Sequence, residues 1–295
     1  VAGGEVHSGL NQVSPVVMAR DKVLYHAQAV AAVAATSAAL AATAAALVKV
    51  EYEVLPHVMD MHEAMKEDAP LLHEDLITTG INPPPTKPSN IAATMTMAKG
   101  DIAKGFADAD VVVERTYYVP MCHQAYIEPH ACVAKVDENG AVDIWCCTQG
   151  AFEVRSLTAA ITGIDLGKIK VTPSEIGGGF GGKTTVYLEP VATVLAKKSG
   201  RPVKIVMSRE DVFRATGPAP AAETRVKLGA TQDGTITALD VDILMDGGAY
   251  ISNPVRAAVL FATACYRSDN MRCAGRDVVT NKPKTHAYRA PGLPQ

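Results

Sequence analysis

Residues 177–182 read Gly177-Gly178-Gly179-Phe180-Gly181-Gly182, with Lys183-Thr184 directly after. No regular element runs comfortably through such a stretch. Each glycine inside a helix or strand costs roughly 0.5–1 kcal/mol relative to alanine, and glycine is the residue that reaches positive φ freely. One element must therefore end before Gly177 and another begin after Thr184. Ile169–Val171 has the β-branched character of a strand. Val186–Lys198 has helical spacing and stops at Gly200, so the reading is strand, glycine loop, helix.

Gly177–Thr184 also satisfies G-x-x-x-x-G-K-[ST], the loop in which backbone N–H groups and a lysine cradle phosphates at a helix N-terminus. Ile243-Leu244-Met245-Asp246 resembles the apolar run whose aspartate holds magnesium in such nucleotide binders. Two features oppose that reading. Asp246 falls on the return strand of a hairpin, whereas that chemistry needs it on a strand parallel to the one before the loop. Five glycines around one phenylalanine also suit a backbone pressed against a broad planar group better than a phosphate cradle. A turn with no ligand is the plainest alternative, and the cost of so many glycines counts against it.

Residues 1–75 read as one unit. Strands are expected at Lys22–His26 and Val30–Val33, then an Ala-rich helix at Ser37–Leu47 with a cap at Thr36. Val48-Lys49-Val50-Glu51-Tyr52-Glu53-Val54 alternates as a half-buried strand does, and a short helix near Met61–Lys66 follows. Residues 76–96 are linker-like, with Pro83-Pro84-Pro85 and Pro88. Residues 97–295 read as a second, larger unit. It has a helix at Asp101–Ala107, strands at Asp110–Tyr118 and Ala141–Cys146, and a helix at Phe152–Thr162 closed by Gly163. Its clearest pairing is a hairpin, Arg225–Ala230 with Ile236–Leu244, turned at Asp233-Gly234. Strands and helices mix without regular β-α alternation, so the fold class is α+β.

The charge balance is −3 with Lys and Arg unclustered, so nothing points to a nucleic acid or an acidic membrane as partner. Ala27–Val48 carries no charge and reaches the length of a membrane span. It is mostly alanine, so a buried strand and helix are expected, with no span. The six cysteines form no C-x-x-C pair, which argues against clusters or zinc held by this chain. No signal-peptide pattern occurs, and free thiols in the cytoplasm are expected. Val1 is not an initiator methionine and Gln295 lies in a Pro/Gly-rich stretch, so a fragment or processed chain is expected. A metal site at His123, Glu128 and His130 is the weaker reading, because on a strand His123 would point away from the other two. Cys146 and Cys147 read as small buried hydrophobes, and Glu189 as a carboxylate on its helix surface or behind the loop.

In order along the chain, several segments resemble the large molybdopterin-binding subunits of the xanthine dehydrogenase/aldehyde oxidase family. They are Val48–Pro56, Gly100-Asp101 with Phe106–Glu114, Glu128-Pro129-His130, Thr148-Gln149 and the glycine loop. Ser208-Arg209-Glu210-Asp211, Gly247-Gly248-Ala249-Tyr250 and Ala287-Tyr288-Arg289-Ala290-Pro291-Gly292 continue the series. The resemblance implies that residues 1–75 are the C-terminal part of a small α/β hammerhead-type unit, with the Pro-rich linker 76–96 after it. Residues 97–295 become a larger mixed α+β molybdopterin-binding domain, truncated at its C-terminal end.

The family likeness implies a molybdenum–molybdopterin cofactor, alone or as the cytosine dinucleotide, that oxidises an electron-poor heterocyclic or aldehyde carbon with water-derived oxygen. Electrons would leave to iron–sulfur clusters and FAD on partner subunits, and the protein would position rather than ligate the metal. Gln149 falls at the glutamine that donates to a molybdenum oxo ligand, and Gly179, Phe180 and Gly181 at the loop that approaches the cofactor. Arg289 falls at the arginine beside it. Thr184 and Pro291 fall in the substrate pocket, where purine-oxidising members carry a glutamate and an aromatic. Carbon monoxide-oxidising members have a cysteine close after the arginine, and Ala290-Pro291-Gly292 has none. Arg256 lies near a substrate-binding arginine, but the spacing to Tyr266 differs. The family's catalytic glutamate, the general base, lies beyond Gln295, so a C-terminal molybdopterin segment or second subunit is expected to supply it. A phosphate-binding loop and a non-catalytic assembly subunit remain the alternatives.

Overall fold

A computed structural model describes residues 13–252 and 254–291. Along the chain run α1 (Ser14–Val17), α2 (Ala38–Ala46), α3 (Met61–Ala64), β1 (Ile91–Lys99), α4 (Ile102–Ala107) and β2 (Val111–Val119). Then come β3 (Ala131–Val136), β4 (Val142–Cys146), α5 (Ala151–Thr162), β5 (Ile169–Pro173), α6 (Glu189–Ser199), β6 (Val203–Val206) and α7 (Arg209–Ala215). β7 (Ala221–Ala230), β8 (Ile236–Gly248), α8 (Val255–Phe261) and β9 (Met271–Val279) complete the series. The fold is mixed α+β, as the pattern of elements predicts. The chain passes back and forth between two compact units. Among the described residues, one takes 13–56, 123–218 and 286–288, and the other takes 57–122, 219–252, 254–285 and 289–291.

The first unit is built on a four-stranded sheet, β5-β4-β3-β6. β3 pairs antiparallel with β4 and β6, while β4 and β5 run parallel, joined through α5. Alternate residues Cys132, Ala134, Val142, Ile144 and Cys146 face one core. Val154 and Leu157 of α5 and Ala192 and Ala196 of α6 close over them. Burying the larger aliphatics contributes about 1.5–3 kcal/mol each, and alanine on α6 lets that helix lie near the sheet. α5 ends where expected, with Gly163 left-handed at φ 71.

The segment ahead of this core departs from expectation. Val30–Val33 and Val48–Val54 form no strand, and α2 buries no residue. Ser37, not Thr36, caps α2 by accepting from the Leu40 amide at 3.2 Å. Alternation of side chains only offers a face; a strand also needs a ladder for its N–H and C=O groups. No strand among the described residues provides one there, and Tyr52 and Val54 stay exposed. No helix among the described residues is long and apolar enough to cross a membrane.

The second unit is a five-stranded sheet, β1-β9-β8-β7-β2. The Asp233-Gly234 turn joins β7 to β8 as expected, and Gly234 has φ 88. Leu239, Val241 and Ile243 point into a core with Val255, Ala258 and Val259 of α8. The neighbouring residues Asp240 and Asp242 lie on the other face, where they pair with Arg225 and Arg272 from the flanking strands. The period-two division of the sheet into an apolar and a charged face follows directly from strand geometry.

Candidate functional site

Topology in the first unit brings two separated segments together. β4 and β5 are parallel neighbours, so their C-terminal ends lie at the same edge of the sheet. Gln149 follows β4 just before α5, and the glycine loop follows β5. The crevice beyond the carboxyl ends of parallel strands is where such sheets place ligands. Three backbone-anchored hydrogen bonds join the segments. The Gln149 amide and the Thr148 hydroxyl donate to the Lys183 carbonyl at 2.9 and 3.1 Å, and the Ser174 amide donates to the Cys146 carbonyl at 3.0 Å.

Gln149 is then oriented by the loop itself. Its Oε1 accepts from the Gly181 amide at 2.9 Å and more weakly from the Lys183 amide at 3.4 Å. A side-chain amide has one oxygen acceptor and one nitrogen donor, so fixing Oε1 on the loop leaves Nε2 on the other side to donate. A Cβ on residue 179 would sit 2.5 Å from Gln149 Oε1, which explains glycine there. Gly181 has φ 99, and a Cβ on it would lie 2.9 Å from the Cβ of Ala287.

Between them Phe180 is left-handed at φ 51 and half-exposed. A bulky residue in that region is strained by about 1–3 kcal/mol, and such strain collects at functional sites. The amides of Gly178, Gly179 and Phe180 make no hydrogen bond among the described residues. Gln124 lies beside Gly182, with its Nε2 committed to the carbonyls of Gly217 and Ala287 and its buried Oε1 unpaired. The result is a glycine loop with three consecutive free donors, the kind of backbone that receives an anionic or polar group.

Lys183 does not face these donors. Its side chain has no solvent exposure, and Nζ donates to Glu128 Oε2 at 2.7 Å and lies over the Tyr126 ring. The Tyr126 hydroxyl is 2.7 Å from His130 Nε2 and 3.2 Å from the Thr216 hydroxyl. Burial and the nearby Lys183 charge push His130 down to about 3, so it is neutral. Burial pushes the Tyr126 phenol up to about 12. Partial burial would raise Glu128, but hydrogen bonds from Lys183 and Gly177 outweigh it and hold the carboxyl below its ordinary range.

These contacts overturn the phosphate-binding reading. A phosphate lysine must reach the ligand, and Lys183 is spent inward. Asp246 stands on β8 in the other sheet, where it is fully buried and accepts from Thr280, Lys282 and the Gly248 amide. The helix after the loop begins only at Glu189. Glu189 is itself buried rather than on the helix surface, with Oε2 accepting from the Tyr187 and Leu188 amides and burial raising its carboxyl.

Residues 126–130 form a loop rather than a strand, and no group of three potential ligands gathers round a metal position among the described residues. Cys146 and Cys147 are buried thiols, both raised by burial. Thr184 donates to the Gly181 carbonyl at 2.9 Å and lies 3.0 Å from His286 Nε2. Arg289, left-handed at φ 26, and Pro291 fall with the second unit. The pairing of Lys183 with Glu128, 55 residues away, and the approach of His286 to Thr184 are not readable from local sequence.

Residues 84–295 match the family model for a molybdopterin cofactor-binding domain. Residues 1–56 match the model for the a/b hammerhead domain of aldehyde oxidase and xanthine dehydrogenase. The chain is 35% identical over 282 residues to a probable xanthine dehydrogenase subunit from Bacillus subtilis, covering 94% of this chain and 36% of that protein. It is 31% identical to the nicotinate dehydrogenase large molybdopterin subunit of Eubacterium barkeri, covering 93% and 62%. Among solved structures, the aldehyde oxidoreductase of Desulfovibrio gigas matches with a TM-score of 0.78 and 32% identity, over 88% of this chain and 28% of that one. Quinoline 2-oxidoreductase of Pseudomonas putida matches with a TM-score of 0.76 and 27% identity, over 88% and 32%. The chain thus spans about a third of the length of most curated relatives it matches.

Proposed function

From a chain that belongs to the molybdopterin cofactor-binding family of aldehyde oxidases and xanthine dehydrogenases, we propose that these residues form one wall of a molybdenum–pterin site in a hydroxylating oxidoreductase. The observation that carries the reading is Gln149. Its oxygen is held by the Gly181 amide, so its NH₂ is aimed as a donor beside a run of free amides. When bound, the molybdenum cofactor supplies the oxidising equivalent and the water-derived oxygen that an electron-poor carbon acquires. The protein's part is orientation and charge placement. Gln149 Nε2 donates to a ligand of the metal without adding charge. Gly179, Phe180 and Gly181 present backbone to the pterin, and Phe180 shields that face from water. The support for Arg289 is the motif Tyr288–Gly292 alone.

The substrate class is a heterocycle other than a purine, or an aldehyde. Its support is Thr184 in place of a glutamate and Pro291 in place of an aromatic, together with relatives named for nicotinate and for aldehydes. The general base, a glutamate, comes from outside these residues, in a C-terminal segment or a second molybdopterin subunit. Iron–sulfur and FAD subunits take the electrons, the pterin is the simple or cytosine dinucleotide form, and the free cysteines fit the cytoplasm. Residues 1–75 act as the closing part of a hammerhead-type unit and 97–295 as the first molybdopterin domain; within the expected linker 76–96, the residues from Ile91 onward belong to strand β1. The test is molybdenum and pterin analysis of the full-length protein purified with its partners. Near-stoichiometric metal, reduced in Gln149→Ala, is expected; a protein without either component overturns the reading. A nucleotide-binding or purely structural role has no support in the matches.

A further inference from the structure

We infer that Lys183 and Glu128 are positioning residues that lock the glycine loop into one shape and thereby aim Gln149. A single oxygen, Glu128 Oε2, accepts from the Gly177 amide at 2.8 Å and from Lys183 Nζ at 2.7 Å. The first and last residues of Gly177–Lys183 are therefore tied to the same atom. A backbone bond from the Glu128 amide to the Gly177 carbonyl, 3.2 Å, fixes the loop's entry a second time. The two loop amides that hold Gln149 belong to Gly181 and Lys183, beside and at this closure. Between the tied ends Phe180 is left-handed, a conformation that a non-glycine residue keeps only where its surroundings over-determine it. Turning the lysine inward has a further result. Its charge is neutralised by Glu128, so the loop meets its ligand with backbone dipoles alone.

The lock stands on these distances. Its consequence for the cofactor rests on the function proposed above, and the experiment separates the two. Lys183→Met is the clean variant. It keeps an unbranched apolar stem under the Tyr126 ring, and the carboxylate left behind is hydrated, since the Glu128 side chain is 32% exposed. Glu128→Gln is the second variant, retaining shape and an acceptor oxygen but no charge.

In the full-length enzyme with its partner subunits, hydrogen exchange is measured on peptides covering 176–185, with and without cofactor. Molybdenum retained after extended gel filtration, and kcat and KM, are measured alongside. Lys183→Met is expected to exchange the loop about tenfold faster in both forms, because local opening becomes easier. It is also expected to lose molybdenum faster and to lower kcat about tenfold or more at a KM within about twofold, as misplacing a donor by an ångström does. Glu128→Gln keeps an acceptor oxygen but leaves the buried Lys183 charge unbalanced, so it is expected to speed loop exchange at least as much as Lys183→Met. Unchanged loop exchange in both variants overturns the lock, whatever the cofactor does. Faster exchange with wild-type metal retention and turnover supports the lock and overturns its link to the cofactor.

Discussion

The two units each contain a buried ion pair, and the pairs are built in opposite senses. In the first unit Lys183 is the buried partner, with no exposure, and Glu128 reaches solvent at 32%. In the second, Asp246 has no exposure and Lys282 reaches solvent at 27%. Asp246 also accepts from Thr280 and the Gly248 amide, so its lone pairs are used where β8 ends. That pair serves the sheet and leaves nothing over. The Lys183–Glu128 pair instead ties down a loop that keeps three amides free, a strained aromatic and a glutamine donor. Buried charge is used for closure in one unit and for presentation in the other, and only the second use leaves hydrogen-bonding capacity for a ligand.

The widest gap between the pairs is expected on breaking them. Lys282→Met strands a carboxylate with no access to water and should destabilise the protein by about 3–5 kcal/mol in chemical denaturation, without changing cofactor content. Lys183→Met should cost less than about half of that, because Glu128 can be hydrated. Equal costs would erase the distinction. Next come the glycines. Gly181→Ala meets both a positive φ and Ala287, so a loss of about 1–3 kcal/mol with most of the molybdenum gone is expected. Gly234→Ala, at φ 88 in the hairpin with open space around it, should cost about 1 kcal/mol and leave the metal in place.

Gln149→Ala should lower kcat by about 10- to 100-fold, equivalent to about 1.4–2.7 kcal/mol, with the melting temperature unchanged. A matching loss of stability would make Gln149 a structural residue instead. The smallest effect concerns pH. His130 is held down to about 3 against an ordinary 6.5, so the unfolded chain binds more protons between those values. Stability is therefore full above pH 6.5 and declines as pH falls toward 3. From pH 6.5 to 5.5 the decline attributable to His130 is about 1 kcal/mol, and His130→Gln should remove that share of the slope. Parallel pH profiles for the two proteins would contradict it.

What sequence made legible depended on the range of the interactions. Local rules were enough for α5 with its left-handed Gly163 and for the Asp233-Gly234 hairpin, since each is decided by residues near one another. They were not enough for Val48–Val54, whose alternation is that of a strand but which finds no ladder here. Nor could they separate a phosphate loop from this one. The pattern around Lys183 is identical in both, and the difference is Glu128, a partner far away in sequence that turns the lysine inward. The convergence of Gln149 with the loop comes from parallel pairing of β4 and β5, a register no periodicity reveals. The family resemblance pointed to Gln149; the bond from Gly181 supplies a physical reason for its orientation.

Whether Gln149 and the glycine loop face a molybdenum cofactor is tested most directly by anomalous diffraction at the molybdenum edge, from crystals of the full-length enzyme. A metal peak is expected within a few ångströms of hydrogen-bonding reach of Gln149 Nε2, roughly the length of a ligand-mediated contact. It should lie on the face of the loop that carries the free amides of Gly178–Phe180. A peak remote from Gln149, or no molybdenum in a fully assembled enzyme, would contradict it.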